Sequence, residues 1–340
     1  MKSVNHDRPG GAFMPPILRR IAPLLGAQVL FEPGYEVVGC IRFPNGRQSY
    51  FWHNKFNLNS VASARIAQDK GYAGFFLKAQ GFRVPDSGVF LEDRFQQRNQ
   101  CGEGQAAARA FAMHLDWQVF LKPLRKSGGD GIVRICGEAE FDTLSQEVFD
   151  RERKVLVQQA CAGRDYRIVV LDGEVISAYE RVPLTVTGDG RHTILQLLGK
   201  CQDGFTSSGR DTIIDANDPR IASVLGRRGL SPESVIPAGV ELPLLDVANL
   251  SCGGTTQVVT NSLHPDTAAL AAKIAEALDL RFAGVDVLLE HAASPPGEYT
   301  ILEVNSSPGL DHYSRSGPEH EQHVDDLYLK VLRAIERGPA

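Results

Sequence analysis

The sequence contains no cysteine spacing that is typical of a metal site or of a disulfide framework. Its six cysteines are scattered, and no two of them form a CxxC pair. We therefore expect no structural zinc ion, and the absence of a disulfide pattern predicts a reducing compartment. The six residues are Cys40, Cys101, Cys136, Cys161, Cys201 and Cys252.

Long apolar runs and long basic runs are missing as well. No stretch approaches the roughly 18 consecutive apolar residues that a membrane-spanning helix needs, and the opening residues MKSVNHDRPGGAFMPP contain no apolar signal-peptide segment. The formal net charge is -5, which argues against nucleic acid or an anionic membrane as the main partner. These observations predict a cytoplasmic protein that binds neither nucleic acid nor membrane, with a homodimer as the base-rate expectation for its assembly.

What the chain does contain is typical of a large globular protein. It has 340 residues, of which 43% are hydrophobic and 23% are charged, enough for an extensive core and for two or three lobes. Strand-like and helix-like patterns alternate along residues 117–159, which is typical of an α/β or α+β fold. We predict an N-terminal lobe over residues 1–66, a central lobe over 67–158 and a C-terminal lobe over 159–340.

Turn residues and apolar periodicity predict the individual elements. Asn45-Gly46 and Asp172-Gly173 each separate two β-prone runs and predict hairpins. Helical spacing predicts one helix from Ser60 to Gln80, which Gly81 would end. Residues 202–217 carry few apolar side chains and predict a mobile loop. Further strands are expected over 117–123, 132–135, 154–159, 164–171, 174–182, 282–290 and 299–305, and further helices over 102–114, 138–150, 193–200, 265–278 and 321–337.

The segment ILEVNSSPGL, residues 301–310, carries polar side chains at the end of a predicted strand. Side chains alternate between the two faces of a strand, so Glu303 and Asn305 point the same way while Val304 faces a core. A carboxylate and an amide oxygen on one face are ligands that a hard divalent cation prefers. This strand end is therefore a candidate for half of a metal site.

The preceding strand supplies a second carboxylate. A simple antiparallel hairpin across the intervening loop places Asp286 opposite Glu303, with Cβ atoms about 5 Å apart. Two carboxylates at that distance repel each other unless a positive charge lies between them, and a shared magnesium ion would supply it. The alternatives are a protonated carboxyl group and a register shifted by a bulge.

A candidate phosphate-binding segment runs from Lys122 to Gly131. Lys122 ends a predicted strand, the cations Arg125 and Lys126 follow, and the backbone N–H groups of the turn SGGDG could approach an anion closely. The segment is not a Walker A loop because it lacks GK[ST], and no GxGxxG motif occurs. The alternative is an ordinary hairpin loop. Lys70 is a second candidate for a phosphate contact.

The order of these features resembles the ATP-grasp superfamily. The resemblance begins at Asp69-Lys70, continues through Lys122 and the glycine-rich turn, and includes QQACAGRDYRI and EVNSSPG. The segments GRDYRIVVLDGEVISAYERVPLTVTGDGRHTI, ANLSCGGT and EVNSSPGL resemble more closely the ATP-grasp module of cyanophycin synthetases and of bifunctional glutathione synthetases. The similarity covers roughly residues 60 to 315.

This resemblance implies an ATP-grasp fold in which ATP lies between the central and C-terminal lobes, under the glycine-rich turn. Lys70 and Lys122 would contact the phosphates, and Asp165 would accept the ribose hydroxyls. Gln158 would lie near the adenine, beside a hinge formed by the backbone of residues 160–161. The implied nucleotide-binding residues are Lys70, Lys122, Ser127, Gly128, Gly129, Gly131, Gln158, Ala160, Cys161 and Asp165, and one or two Mg²⁺ ions, with Mn²⁺ as a substitute, would be held by Asp286, Glu303 and Asn305.

Two arginines are candidates for the chemistry itself. Arg181 falls in ERVPLTVTGDG, the part of the family pattern that faces the transferred phosphate, and Arg167 stands on the other arm of the same predicted hairpin. A guanidinium there would offset charge on the phosphoryl group and on the oxyanion of a tetrahedral intermediate. The alternative for each is a solvated surface cation. The full set of candidates is Arg181, Lys122, Asn249 and Arg167 for catalysis, and Ser307 and Gly309 for contact with the acyl substrate.

The sequence departs from the cyanophycin synthetase pattern in three ways. The residues before Asn249 are Leu245, Asp246 and Val247, where that pattern has an arginine. Gln158 replaces an acid, which should alter the adenine contacts. The second ligase half of cyanophycin synthetase is absent, so polymerisation of aspartate and arginine in the manner of that enzyme is not expected.

These features predict an ATP-dependent carboxylate-amine ligase that releases ADP and phosphate. ATP would convert the carboxylate of an amino acid or small peptide into an acyl phosphate, which an amine then attacks. The alternatives are a small-molecule kinase on the same scaffold, which would lack an amine site, and a non-catalytic nucleotide-binding module. The sequence identifies neither the carboxylate nor the amine.

Overall fold

The structure is a computed structural model that describes residues 12–124, 131–210, 212–314 and 318–338. Within these ranges the chain combines helices with antiparallel sheets in an α+β arrangement. The helices are α1 (Met14–Ile21), α2 (Val61–Gln68), α3 (Lys70–Ala79), α4 (Asp93–Asn99), α5 (Gln105–His114), α6 (Glu138–Arg151), α7 (Ile194–Ser207), α8 (Pro219–Arg227), α9 (Pro265–Ala277), α10 (Asp311–Ser314) and α11 (Pro318–Arg337). The strands are β1 (Gln28–Phe31), β2 (Val38–Arg42), β3 (Gln48–Trp52), β4 (Lys55–Phe56), β5 (Ser87–Leu91), β6 (Val119–Pro123), β7 (Val133–Ile135), β8 (Lys154–Gln159), β9 (Arg164–Leu171), β10 (Glu174–Val182), β11 (Thr185–Thr187), β12 (Glu241–Pro243), β13 (Thr255–Val258), β14 (Phe282–Leu289) and β15 (Thr300–Asn305).

The five-stranded sheet of order β13-β10-β9-β14-β15 has two different faces. On one face, Tyr166 and Ile168 of β9 are buried in an apolar core that includes α9. On the other face, β9 carries Asp165 and Arg167 at one end and the buried Val169 further along. Because side chains alternate along a strand, this second face is charged at one end and apolar at the other.

Elements from both ends of the chain cover the apolar end of that second face. Leu18 of α1, Ile41 of the N-terminal sheet and Tyr328 of α11 are buried in one core with Val169 of β9. The N-terminal sheet has the order β1-β2-β3-β4, and its β2–β3 hairpin turns through Asn45-Gly46, as predicted. The N-terminal segment and the last helix thus belong to one packing unit with the five-stranded sheet.

A second four-stranded sheet, of order β5-β8-β6-β7, carries two predicted site residues. Val119 and Leu121 of β6 are fully buried in a core with α5 and α6, while Lys122 lies on the opposite face, with its Nζ 5.1 Å from the centre of the Phe120 ring. Gln158 lies on the adjacent strand β8. The alternation of β6 therefore directs Lys122 away from the core.

A small pair of strands, β11 and β12, forms a further unit with α7 and α8. Its core is separate from the others and includes Leu184, Ile194, Leu225 and Leu244. Thr193 caps α7 by accepting from the N–H of Gln196 at its hydroxyl, and the side-chain oxygen of Gln196 accepts from the N–H of Thr193. The start of α7 agrees with the predicted helix over residues 193–200, whereas α8 and α4 were not predicted.

The prediction of one continuous helix from Ser60 to Gln80 is wrong. Asp69 leaves the helical conformation, with φ -104° and ψ 108°, and separates α2 from α3. Its carboxylate accepts hydrogen bonds from the N–H groups of Gly71 and Tyr72, as a helix N-cap does. The break places Lys70 in the first turn of α3.

The loop predicted over residues 202–217 is helical as far as Ser207. Thr206 and Ser207 donate their hydroxyls to the carbonyl oxygens of Gln202 and Asp203, one turn earlier. These hydrogen bonds let polar residues continue the exposed end of a helix without an apolar stripe. The prediction is wrong for residues 202–207, because a segment with few apolar residues can still be the exposed end of a helix.

The two hairpins predicted at Asp172-Gly173 and between residues 282 and 305 are confirmed, as β9–β10 and β14–β15. Over the described residues, no helix is both long enough and apolar enough to cross a membrane.

Candidate active site

The two predicted metal-binding strands pair in the expected register. Asp286 of β14 lies opposite Glu303 of β15, and Gly284 lies opposite Asn305. The ladder contains an irregularity between Asp286 and Val287, on the loop side of this pair, so it does not separate the two carboxylates. The structure therefore confirms the pairing of Asp286 with Glu303.

The guanidinium groups of the buried Arg167 and the largely buried Arg181 hold the carboxylate of Asp286, which is only 1% exposed. Arg167 donates from Nε to Oδ1 and from Nη2 to Oδ2, the latter at 2.8 Å, and Arg181 donates from Nη2 to Oδ2 at 2.8 Å. Burial raises the pKa of Asp286, and the charges of Arg167 and Arg181 oppose that increase. Strand order explains the contact, because β9 lies between β10 and β14 and places Arg167 beside Asp286.

Glu303 lies between a lysine and the same arginine. Lys70 Nζ is 3.2 Å from Glu303 Oε2, Arg167 Nη2 is 4.0 Å from Oε1, and Asn305 donates to Oε1 at 3.1 Å. Burial alone would raise the pKa of Glu303, but the charges of Lys70 and Arg167 outweigh it and hold that pKa well below its ordinary value. Glu303 is therefore ionised throughout the physiological pH range.

The charged cluster extends to the predicted ribose contact, Asp165. Asp165 lies opposite Arg181 in the β9–β10 ladder and accepts from its Nη2 at 2.7 Å. Asp165, Arg181, Asp286 and Arg167 thus form a line of alternating charge across three neighbouring strands. Such a line restrains the orientation of each group, because Arg181 bonds to Asp165 and Asp286 and Arg167 holds both oxygens of Asp286.

Lys122 reaches this cluster from the other sheet. Its Nζ donates to Gln158 Oε1 at 2.6 Å, and the charges of Lys70 and Glu303 both act on it. Burial lowers the pKa of Lys122 to about 8, the charge of Lys70 adds to this decrease, and the charge of Glu303 opposes it. The residue that sequence resemblance placed near adenine, Gln158, is here the neutral partner of this lysine.

The segment predicted as the adenine hinge connects β8 to β9. The N–H of Ala160 donates to the carbonyl oxygen of Gln118 at 2.8 Å, and the thiol of Cys161 is half-buried. Burial raises the pKa of Cys161, which keeps the thiol protonated and makes it a poor nucleophile.

Other predicted residues lie around the cluster or outside the described part of the chain. Gly131 has φ +72°, and an added Cβ would be 3.0 Å from Pro123 Cγ, so glycine is needed there. Asn249 leads into the 3₁₀ turn Leu250–Cys252, and its carbonyl oxygen accepts from the N–H groups of Cys252 and Gly254. Ser307 accepts at its carbonyl oxygen from Asn54, and Gly309 is exposed in the turn after β15. Ser127, Gly128 and Gly129 lie outside the described residues.

The sequence analysis missed Gly284, which makes room for Arg167. An added Cβ on Gly284 would lie 2.9 Å from Pro308 Cβ and 3.1 Å from Arg167 Cδ. The sequence did contain a signal for Gly284, namely its predicted pairing with Asn305. A residue opposite a candidate metal ligand faces the same site.

Gly284→Ala is expected to displace Arg167 and to lower the free energy of unfolding by about 1–3 kcal/mol, as overpacking does. The matched control is Gly199→Ala in α7, where an added Cβ meets nothing within 4 Å. That change should stabilise the protein by about 0.5–1 kcal/mol, because alanine is the better helix former. Urea unfolding of the two variants measures both effects, and equal stability would contradict the predicted clash.

The oxygen donors fit a divalent cation. A carboxylate offers about four acceptor positions, and Asp286 uses three of them for Arg167 and Arg181. One remains, and Glu303 lies opposite Asp286 in the strand ladder with Asn305 two residues further along β15. Over the described residues, no group of three or more His, Cys, Asp or Glu side chains could hold a metal ion, so the candidate site consists of two carboxylates and one amide oxygen.

Comparison with known proteins gives two adjoining family matches. Residues 96–230 match the model described as prokaryotic glutathione synthetase, ATP-grasp domain, and residues 247–322 match the RimK-like ATP-grasp domain. The second match contains Asp286, Glu303 and Asn305, and the first contains Lys122, Arg167 and Arg181.

Similar proteins are considerably longer than this chain. A cyanophycin synthetase of Synechocystis sp. is 34% identical over 300 residues, which cover 84% of this chain and 32% of that protein. The glutathione biosynthesis bifunctional protein GshAB of Clostridium perfringens is 25% identical over 266 residues, which cover 75% of this chain and 32% of that protein. The chain thus spans about a third of the length of these relatives.

The fold has a counterpart among solved structures. A bifunctional glutathione synthetase from Pasteurella multocida superposes with a TM-score of 0.55 at 22% identity, over 90% of this chain and 42% of that one. Both family models describe ATP-grasp domains, and the charged cluster is built from residues in both. The chain belongs to the ATP-grasp superfamily.

Proposed function

We propose that the protein is an ATP-dependent carboxylate-amine ligase that forms an amide bond and releases ADP and phosphate. The observation that carries this proposal is the charged cluster, in which Asp286 and Glu303 lie among Lys70, Arg167 and Arg181 on one sheet face. An ATP-grasp fold with this arrangement can stabilise phosphoryl transfer by position and charge alone.

In this reaction a carboxylate oxygen of the substrate attacks the γ-phosphorus of ATP, and ADP leaves. The nitrogen of the second substrate then attacks the acyl carbon, phosphate leaves, and the nitrogen loses a proton. Lys122 and Lys70 are the groups that we assign to the phosphates. Arg181 would stabilise the oxyanion, with Arg167 holding Asp286 in place.

A divalent cation, Mg²⁺ or Mn²⁺, would be held by Glu303, Asn305 and the remaining acceptor position of Asp286. When bound it neutralises charge on the phosphates. Two of the three holding groups, Glu303 and Asn305, are kept in orientation by their mutual hydrogen bond and by Lys70. We further assign nucleotide contacts to Asp165, Gln158 and the backbone at residues 160–161, and acyl-substrate contacts to Ser307 and Gly309.

The substrate class that we propose is an amino acid or a short peptide as the carboxylate, with an amine as the second substrate. The names of the relatives support it, because cyanophycin and glutathione are both products of ligases. The position before Asn249 differs from the cyanophycin synthetase pattern, and Asp246 there pairs with Arg227 instead. A different acceptor is therefore part of this proposal, as are a cytoplasmic location and a homodimer.

The decisive experiment measures ADP release with a panel of amino acids, with and without added amines, and determines the mass of the product. A ligase gives amine-dependent turnover and a product lighter by one water than the sum of its two substrates. A stable phosphorylated product that forms equally well without amine would overturn the ligase in favour of a small-molecule kinase.

Nucleotide affinity is expected to fall as the pH rises through about 8, because Lys122 then loses its charge. The protonated lysine attracts the phosphates, so the Kd of a non-hydrolysable ATP analogue should increase by up to about tenfold per pH unit above that pKa. Calorimetric titration between about pH 6.5 and pH 9.5 measures this dependence. In Lys122→Met binding should be weaker at every pH and nearly flat above neutrality, and an equally steep profile in this variant would assign the dependence to another group.

A further inference from the structure

A cleft beside the four-stranded sheet β5-β8-β6-β7 is lined by three arginines and lies away from the charged cluster. It has a volume of about 430 Å³ and is lined by Glu92, Arg94, Phe95, Arg98, Asn99 and Arg153. Its walls are the helix α4 and the start of β8, which the hydrogen bond from the N–H of Glu92 to the carbonyl oxygen of Arg153 holds together. This volume is in the range of small-molecule binding sites.

The three guanidinium groups are not held in ion pairs with carboxylates in the part of the chain that the structure describes. Over the described residues, Arg94, Arg98 and Arg153 form no ion pair, whereas Arg109 on the neighbouring α5 pairs with both Glu138 and Asp142. Arg94 and Arg98 are also four positions apart on α4, where like charges repel each other. The lining of the cleft, three arginines and the single acid Glu92, therefore keeps an excess of positive charge.

The one acid in the cleft is already in use. Both carboxylate oxygens of Glu92 accept from backbone N–H groups, those of Arg94 at 3.0 Å and Phe95 at 2.8 Å, where they cap α4. Arg153 and Lys154 lie over the ring of Phe95, at 5.7 Å and 6.0 Å from its centre, which gives these two cations a defined position. The cleft is thus positively charged, and one of its three arginines, Arg153, is positioned by an aromatic ring of the lining.

Strand β8 separates the cleft from the candidate active site. Gln158, the partner of Lys122, lies four residues beyond Lys154 on this strand, which corresponds to about 13 Å at the rise of an extended chain. A ligand in the cleft would therefore not overlap the residues that we assign to ATP.

We propose that this cleft is a second binding site, for a compact anion with two or more negative charges. Its chemistry is that of a phosphate ester or an oligocarboxylate, since guanidinium groups bind both with paired hydrogen bonds. Arg94 and Arg98 bind the anion from α4, and Arg153 binds it from the opposite wall.

The test is calorimetric titration of the full chain with pyrophosphate and with citrate at constant ionic strength, with the nucleotide site saturated by a non-hydrolysable ATP analogue. Binding with one anion per chain is expected, and Arg94→Gln/Arg98→Gln should weaken it at least tenfold. Arg109→Gln, an exposed arginine outside the cleft, is the matched control and should bind as the unsubstituted protein does. If the double variant loses only pyrophosphate binding, the site is specific for phosphate groups. If it loses binding of pyrophosphate and of citrate, the site recognises negative charge in general.

Two results would overturn the proposal. The first is that the double variant and the unsubstituted protein bind the two anions with equal affinity, or that neither protein binds them. The other is a melting temperature that falls by several degrees in the unliganded double variant, because arginines kept for a ligand should not stabilise the empty protein. Relief of their mutual repulsion should leave that temperature unchanged or slightly higher.

Discussion

Glu303→Ala is expected to reduce kcat/KM by about three orders of magnitude while the protein still unfolds cooperatively. The substitution removes an ionised oxygen ligand beside Asp286 and leaves Lys70 without the carboxylate 3.2 Å from its Nζ. Glu303 lies on the open side of β15, since its side chain is 27% exposed, so little packing is lost. Steady-state ADP release and thermal unfolding of the same preparation measure the two effects.

The neighbouring residue gives the matched control. Val304 is 1% exposed and belongs to the core on the other face of the sheet. Val304→Ala should lower the free energy of unfolding by about 1–3 kcal/mol and leave turnover within about tenfold, because the catalytic face is unchanged. If Glu303→Ala lost more stability than Val304→Ala, the carboxylate would be structural and its assignment to the metal would be wrong.

Asp286→Asn is expected to cost about 3–5 kcal/mol of stability as well as most of the activity. The amide is nearly isosteric, but it carries no charge to offset the buried guanidinium groups of Arg167 and Arg181. In the unsubstituted protein the negative charge of Asp286 compensates the free-energy cost of desolvating these two guanidinium groups. The amide of asparagine does not. Urea unfolding measures the change in free energy.

An exposed pair of the same type serves as the control. Asp142→Asn removes a carboxylate from Arg109 at the surface, where solvent screens the ion pair, so this change should destabilise the protein far less than Asp286→Asn does. Arg167→Met should lower the free energy of unfolding less in the Asp286→Asn variant than in the unsubstituted protein. In that variant it removes a guanidinium charge that has already lost its carboxylate. Strictly additive costs would show that the two side chains are not coupled.

Much of the site could be predicted from sequence because it depends on local pairing. Asp286 and Glu303 are on consecutive strands joined by a short loop, so alternation and a simple hairpin sufficed to place them opposite each other. Asp172-Gly173 and Asn45-Gly46 likewise determine their hairpins through turn geometry that few other residues adopt. The roles of these residues in binding metal and nucleotide stay predictions.

The partners of Asp286 could not be predicted, because they come from a distant part of the chain. Arg167 precedes Asp286 by 119 residues, and only the order of strands in the sheet places them side by side. Gly284 becomes necessary only once Arg167 is in place. The helix break at Asp69, by contrast, could have been predicted. An Asp before the first turn of a helix is a recognised N-cap signal, and the prediction of a single helix overlooked it.

The core shared by the two ends of the chain has a consequence for the order in which the protein folds. Val169 and Phe282, on strands that carry the charged cluster, pack with α1 and with α11. During synthesis these strands leave the ribosome well before α11 does, so their apolar surface has no final cover until α11 has been made. Contacts between such distant parts of a chain form late and slowly. We therefore expect Asp286, Arg167 and Arg181 to reach their final geometry only after α11 has been made and has packed against these strands.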